Sequence, residues 1–556
     1  MLPIIATGKQ SFLDLRQHNY FYIDKTRFIK DWWNGGDDVT LITRPRRFGK
    51  TLMLDTVRTF FGLEFAEYAN LFDGLEISQD EHLLNLQGSR PVIFLSLADV
   101  KANNYLQAVK LINARLVRIY NAFSRILDPS LLLDTEKEQF KSVCVSMDEA
   151  TAQDTLLCLS EYLVSQKFAK PIILLDEYDT PLQEAWFNGY FDKLVGFMRG
   201  FFNSTFKTNT YLGRGLITGI TRIAKESIFS DMNNLKVVSI TSDLYSDCFG
   251  FTEQEVYTIM DEYGLTAKEK VKSWYDGFIF GKQKEIYNPW SIIGYLTEKK
   301  FAPYWAHTSS NALVGDLIAH SDYIIKKETE QLLLGESIKT KLNEEIVFSK
   351  LYTTKGAIWS LLMAAGYVKP ISFDPASNVY EITLTNHESY LILEERISAW
   401  FGSVRTTRDN FQQALLEDDL DEMNELMSNI TENIFSYFDT QNNEENQPEN
   451  FYHAFILGLI VNLKDRYIIR SNRESGLGRY DICMFPNYAG DHGIIIEFKT
   501  MKQRKEKNLE ETCSNALKQI KNLNYIDELL AHKVSANISI FMVLLSKEKK
   551  FSFVVA

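Results

Sequence analysis

Five short apolar runs punctuate the N-terminal part of the chain: Val39 with Leu41 and Ile42, Val92 to Leu97, Ile172 to Leu175, Gly215 to Gly219, and Lys236 to Ile240. Each has strand length, and stretches with three- and four-residue apolar spacing, such as Tyr105 to Phe123 and Ala150 to Phe168, separate most of them. Near-continuous apolar strands alternating with amphipathic helices predict an α/β fold, a parallel sheet covered by helices. From Phe249 to Asn311 the pattern is helical with aromatic turns, F-G-F-T-E-Q-E-V, W-Y-D-G-F and Y-N-P-W-S-I. Trp274, Tyr275, Phe278, Tyr287 and Trp290 read as packing residues, because no basic residues interleave with them as on a base-stacking strand. Between Phe411 and Phe438, Leu415, Leu416, Leu420, Met423, Leu426, Met427, Ile430 and Ile434 predict an acidic-faced helical pair joining domains. Asp439 to Asn450 has no apolar residue and reads as a linker. A helix over Phe451 to Leu463 and two strands follow. The expected divisions are residues 1–290, a mostly helical connector at 291–438, the linker at 439–449, and a C-terminal α/β domain at 450–556.

The first apolar run leads into R-P-R-R-F-G-K-T and then an amphipathic segment through Leu52, Leu54, Val57 and Phe61. Strand, loop and helix in that order form a phosphate site. Gly49 lets the backbone approach a phosphate, the N–H groups of the new helix attract anions, Lys50 reaches the β/γ-phosphates and the Thr51 hydroxyl is a Mg²⁺ ligand. Arg44, Arg46 and Arg47 are expected to add positive charge as ligands of the phosphates. Arg44 stands where the usual first glycine of such a loop would be, so the loop must turn without it. The third run ends in Asp176-Glu177-Tyr178-Asp179, at the sheet edge where α/β folds bind ligands. Asp176 is expected to hold Mg²⁺ through its water shell and Glu177 to polarise the attacking water. Thr218, Thr221 and Arg222 end the fourth run, as sensors of the γ-phosphate and, for Arg222, a stabiliser of transition-state charge.

A second constellation lies in R-Y-D-I-C-M-F-P and G-I-I-I-E-F-K. Alternate residues of a strand share a face, so Glu497 and Lys499 point the same way, and a turn at Asn487 to His492 brings Asp481 towards them. Asp481 and Glu497 with the Phe498 carbonyl suit a Mg²⁺ or Mn²⁺ ion that activates water against a phosphodiester, and Lys499 offsets developing charge. Surface strands often carry such charges. The apolar run before Glu497 favours a site, because charges ending a buried strand need partners.

With 73 acidic and 60 basic residues the formal charge is -13, which argues against a whole-surface nucleic-acid binder. From Lys464 to Lys507, however, ten Lys/Arg face six Asp/Glu, so a local basic site remains. Five scattered cysteines, no C-x-x-C, no signal-peptide pattern and no apolar run of membrane length point to a cytoplasmic chain without a membrane span.

Taken together, Y-F-Y-I-D-K-T-R-F-I, L-I-T-R-P-R-R-F-G-K-T-L, I-L-L-D-E-Y-D-T-P-L, F-G-F-T-E-Q-E-V, W-Y-D-G-F, Y-N-P-W-S-I, F-Y-H-A-F-I-L-G-L, S-G-L-G-R-Y-D-I and I-I-I-E-F-K resemble bacterial proteins that pair an AAA-ATPase-like domain with a C-terminal PD-(D/E)XK-family nuclease domain. The resemblance implies that Arg44 in place of the glycine is a family trait and that Gln519 and Tyr525 belong to the nuclease core. It also leaves Glu449 and His453 as alternatives for the upstream residue facing the metal. The function expected is an ATPase whose nucleotide state controls a metal-dependent nuclease, with ATP and Mg²⁺ as cofactors, DNA favoured over RNA, and self-association left open. The rival is a nucleotide-switched module that binds nucleic acid or a protein without cutting.

Overall fold

The computed structural model describes residues 2–223, 228–229, 232–305, 317–318, 321, 323–333, 335–343, 345–346, 351, 355–400, 405–427, 456, 459–471, 474–475, 478–479, 481–488, 490–500, 538–545 and 551–555. They form two compact units, Met1–Ser309 with Lys339–Ser389, and Ser310–Ile338 with Tyr390–Ala556.

The first unit is built on a parallel sheet of β1 (Val39–Thr43), β2 (Val92–Ser96), β3 (Ile172–Asp176), β4 (Arg214–Gly219) and β5 (Leu235–Val238), in the order β2-β3-β4-β1-β5. Every position of β1 and β3 is buried, which is why both read as unbroken apolar runs rather than alternating ones. The register sets Ile42 opposite Thr218, Thr43 opposite Gly219 and Leu175 opposite Ile217, so the C-terminal ends of β1, β3 and β4 lie side by side. The helix Lys50–Phe61 follows β1 and buries Met53, Leu54, Val57, Phe60 and Phe61 in the core shared with Ile42, Leu174 and Leu216. Burying each Leu or Val of this stripe stabilises the unit by about 2 kcal/mol.

The N-terminal polar-aromatic segment has a structural role that composition did not disclose. Lys25 Nζ bonds Glu255 Oε1 at 2.6 Å and the Asp247 carbonyl at 2.7 Å, and Arg27 Nη2 meets Asp247 Oδ1 at 2.6 Å. D-K-T-R thus ties the chain start to F-G-F-T-E-Q-E-V, whose Thr252 and Glu255 form a capping box on the helix Glu253–Glu262.

Among the described residues the middle of the chain is mostly helical, with a β-hairpin of Val368–Asp374 and Val379–Leu384 set into it, but it is not a unit of its own. Residues 291–309 and 339–389 belong with the parallel sheet, because Glu388, fully buried, accepts from Ser291 Oγ at 2.7 Å and from the Trp305 amide at 2.6 Å. The expected boundary at 290 therefore falls inside a packed body.

The second unit carries a mixed sheet of β6 (Tyr467–Ser471), β7 (Ile482–Pro486), β8 (Gly493–Thr500), β9 (Ile538–Leu545) and β10 (Phe551–Val555), ordered along the chain. Only β8 and β9 pair in parallel. Phe411, Leu415, Met423 and Met427 share one core with Ile482, Met484, Ile494 and Ile496. The described part of the expected inter-domain helical pair is thus an integral layer of this unit. The linker expected at Asp439 to Asn450 lies outside the described residues.

Candidate functional sites

The loop between β1 and its helix turns without the missing glycine by placing two residues in the left-handed region, Arg47 at φ 68° and Gly49 at φ 80°. For Arg47 this costs about 1 kcal/mol relative to glycine, so surrounding structure must hold it. That structure comes from W-Y-D-G-F and Y-N-P-W-S. The Arg47 guanidinium lies 4.4 Å from the Trp290 ring centroid, Asn288 Nδ2 donates to the Arg46 carbonyl at 3.5 Å, and Phe48 packs 4.7 Å from Phe278 and 5.4 Å from Phe280. Asn288 is also the N-cap of the helix Pro289–Glu298. Trp290 is therefore more than a packing residue, whereas Tyr275, Phe278 and Tyr287 are buried as expected.

Within the loop Lys50 is 6% exposed, and its Nζ donates to the carbonyls of Arg44 at 3.0 Å and Pro45 at 2.9 Å. Burial pushes its ammonium down, while Glu177, Asp176 and Asp179 oppose that shift. Asp176, the last residue of β3, is met on one oxygen by Thr218 Oγ1 at 2.7 Å and on the other by Thr51 Oγ1 at 2.8 Å. Burial raises its carboxyl and the hydroxyl bonds offset part of the rise. A desolvated carboxylate held only by hydroxyls, beside a threonine that opens a helix, fits a divalent cation bridging to phosphate. The helix Lys50–Phe61 has no side-chain cap, so its first N–H groups are open to an anion. Glu177 follows at φ 52° and accepts from Thr180 Oγ1 at 3.1 Å. Arg46 Nη2 lies 3.3 Å from Gln183 Oε1. Arg222 is half-buried and pairs through its backbone with Glu345.

Arg44 departs from its expected place among the phosphate ligands. It is 0% exposed, with Nη1 donating to Thr43 O at 3.0 Å and Ser239 O at 2.6 Å, and its guanidinium is 4.5 Å from the Phe280 ring. Burial pushes it down to about 9. The side chain fastens the end of β1 to the segment after β5, and its own amide donates to Gly219 O at 3.2 Å. An arginine spent on buried carbonyls has no reach to a phosphate.

In the second unit the antiparallel register pairs Ile482 with Ile496, Asp481 directly precedes Ile482, and Glu497 directly follows Ile496 in β8. The Phe498 amide donates to Asp481 Oδ2 at 2.7 Å, which fixes that carboxylate against β8. Glu497 is 1% exposed. A carboxylate just before β7 and one within β8, with the Phe498 carbonyl beside the latter, fit a hard divalent cation. Lys499 lies two residues on in β8. Glu449, His453, Gln519 and Tyr525 lie outside the described residues.

Two participants escaped the sequence reading. Trp290 gave no sign beyond its aromaticity. Asp179 did: a third acid in an otherwise apolar strand-to-helix turn needs donors if it is to be buried.

Residues 6–229 match the predicted AAA-ATPase family, AAA-ATPase-like, and residues 447–553 match the PD-(D/E)XK nuclease superfamily. Over 549 residues, covering 95% of this chain and 94% of the relative, the sequence is 23% identical to an uncharacterized protein in the vnfD 5' region of Azotobacter chroococcum mcd 1.

Proposed function

We propose that this chain, which joins an AAA-ATPase-like region to a PD-(D/E)XK nuclease-superfamily region, hydrolyses ATP and uses its nucleotide state to control phosphodiester cleavage by the C-terminal site. The observation that carries the reading is the Thr51–Asp176–Thr218 hydroxyl–carboxylate array beside the buried Lys50. In the ATPase site Lys50 leaves its two loop carbonyls for the β/γ-phosphates, the N-terminal amides of its helix hold phosphate oxygens, and Glu177 orients the attacking water. Arg46, Arg47 and Arg222 supply positive charge around the transferred group. Thr51 and Asp176 would hold Mg²⁺, which supplies charge compensation at the phosphates.

In the nuclease site Asp481, Glu497 and the Phe498 carbonyl would hold Mg²⁺ or Mn²⁺, which supplies an activated water. Lys499 offsets charge on the scissile phosphate. The local excess of basic residues between Lys464 and Lys507 supports a nucleic-acid substrate, and we favour DNA over RNA. Among the described residues no helix is long and apolar enough to cross a membrane, and Cys144, Cys158, Cys248 and Cys483 are free thiols, which supports our placing the protein in the cytoplasm.

The test is incubation of the full chain with plasmid, linear DNA and RNA, with and without ATP, Mg²⁺ and Mn²⁺. Metal-dependent cleavage that responds to ATP is expected. Nucleotide binding with no cleavage of any substrate would move the assignment to a switched binding module.

A further inference from the structure

Asp179 closes the D-E-Y-D motif and is 0% exposed. One oxygen, Oδ2, accepts from the amides of Ile220 at 3.0 Å and Thr221 at 2.9 Å, from Thr221 Oγ1 at 2.9 Å, and from Gln183 Nε2 at 3.2 Å. The other, Oδ1, is buried with no hydrogen-bond partner, and a Cβ on Gly219 would come within 2.9 Å of it. Burial accordingly raises this carboxyl, and the bonds from Thr221 and Ile220 act against the rise.

What Asp179 grips is the turn at the end of β4. Thr218, at the start of that turn, bonds Asp176, and Arg222 follows at its end. The neighbouring Tyr178 holds the same turn, its amide donating to Thr218 O at 3.1 Å and its hydroxyl to Thr221 O at 2.8 Å. Gln183, 8% exposed, bonds Asp179 through its amide nitrogen and Arg46 through its oxygen. The carboxylate thus connects the β4 turn to the phosphate loop by two side-chain links, across three strand ends. A pin needed only for stability would be satisfied by the backbone amides. This one also orders the Thr221 hydroxyl and, through Gln183, registers the turn against Arg46.

We propose that Asp179 is a positioning residue that sets the Thr218–Arg222 turn against the γ-phosphate of bound nucleoside triphosphate, and that Gln183 couples this turn to Arg46 in the phosphate loop. The inference rests on the ATPase reading above. Its consequence is specific: the network discriminates triphosphate from diphosphate, whereas Lys50 and the helix N-terminus serve both.

The experiment measures ATP and ADP affinity by titration calorimetry, together with kcat, KM and thermal midpoint, for the full-length parent, Asp179→Asn, Gln183→Leu, Thr221→Val and Lys50→Ala. Asp179→Asn is expected to keep ADP affinity within about twofold, lose about tenfold of its ATP-over-ADP preference and fall about 10²-fold in kcat. Gln183→Leu and Thr221→Val should each lose about threefold to tenfold of the preference while staying folded with a somewhat lowered midpoint, so the test stands even if Asp179→Asn does not fold. An unchanged ATP-over-ADP ratio in Gln183→Leu and Thr221→Val overturns the inference, as does equal loss of both nucleotides in a folded Asp179→Asn. A parent that binds neither nucleotide, like Lys50→Ala, overturns the ATPase reading and the inference with it.

Discussion

The Arg47 guanidinium stands 4.4 Å from the Trp290 ring centroid, and this contact joins a left-handed loop residue to the first turn of a helix that begins 242 residues later, at Pro289. Arg47 cannot hold φ 68° by intrinsic preference, so the ring and the Asn288 cap below it act as the brace for the phosphate loop. Trp290→Ala should therefore weaken ATP binding about threefold to tenfold, the effect of losing a contact worth about 1 kcal/mol, and leave Mg²⁺ dependence intact. Titration calorimetry decides it; parent affinity would mean that the loop is shaped without the ring.

Lys50→Ala and Glu177→Gln should separate binding from turnover. Lys50 is the buried cation at the head of the helix after the loop, so its loss should abolish nucleotide binding at micromolar protein. Glu177→Gln keeps Asp176 with Thr51 and Thr218, and should bind ATP while kcat falls about 10²-fold or more. Parent-rate hydrolysis in Lys50→Ala would remove the ATPase assignment from this loop.

Much of this site was legible because its chemistry is local: Gly49-Lys50-Thr51 and Asp176-Glu177 sit at the ends of strands whose burial on both faces writes an unbroken apolar run. Arg44 was misplaced for the opposite reason. The Ser239 carbonyl that takes its guanidinium lies 195 residues away in sequence, and Phe249 and Phe280 further still, so nothing near R-P-R-R distinguishes a phosphate ligand from a buried clamp. The two-unit division was hidden in the same way, since Glu388 with Ser291 and Trp305 is a long-range pairing with no periodic signature. The antiparallel pairing of the strand after Asp481 with the strand that carries Glu497, by contrast, was readable from two apolar runs and one turn.

Asp481→Ala and Glu497→Ala should each eliminate Mg²⁺- or Mn²⁺-dependent cleavage by the full chain, because each removes an anionic ligand. Lys499→Ala should still bind Mn²⁺ but cut about 10²-fold more slowly. All three should hydrolyse ATP at the parent rate. Cleavage at the parent level in Asp481→Ala would remove the nuclease assignment from this strand pair, and Mn²⁺ calorimetry on the same proteins distinguishes lost metal from lost turnover.

Burial pushes Glu388 from its ordinary 4.5 up to about 7, against the bonds from Ser291 and the Trp305 amide. The folded chain keeps a proton that the unfolded chain releases above pH 4.5, so the group favours folding at low pH and its contribution is lost as pH rises from 4.5 through about 7. Asp276, pushed up to about 6 by burial, acts in the same direction. Glu388→Gln removes one such group, and should narrow the loss of stability between about pH 5 and pH 8 by about 2–3 kcal/mol. Urea unfolding at both pH values measures it; identical pH dependence in parent and variant would show that Glu388 stays ionised in the fold.

The core that Phe411, Leu415, Met423 and Met427 share with Ile482, Met484 and Ile496 has a consequence for how the C-terminal part can be taken apart. A protease that cuts between residues 427 and 456 breaks the chain without parting the fold, because the segment before the cut supplies one apolar wall of the sheet after it. The nicked protein should migrate as two bands under denaturing conditions and as one particle in gel filtration. The same two pieces made from separate messages should find each other and restore the sheet, while the later piece made alone would present its bare wall to its own copies and aggregate.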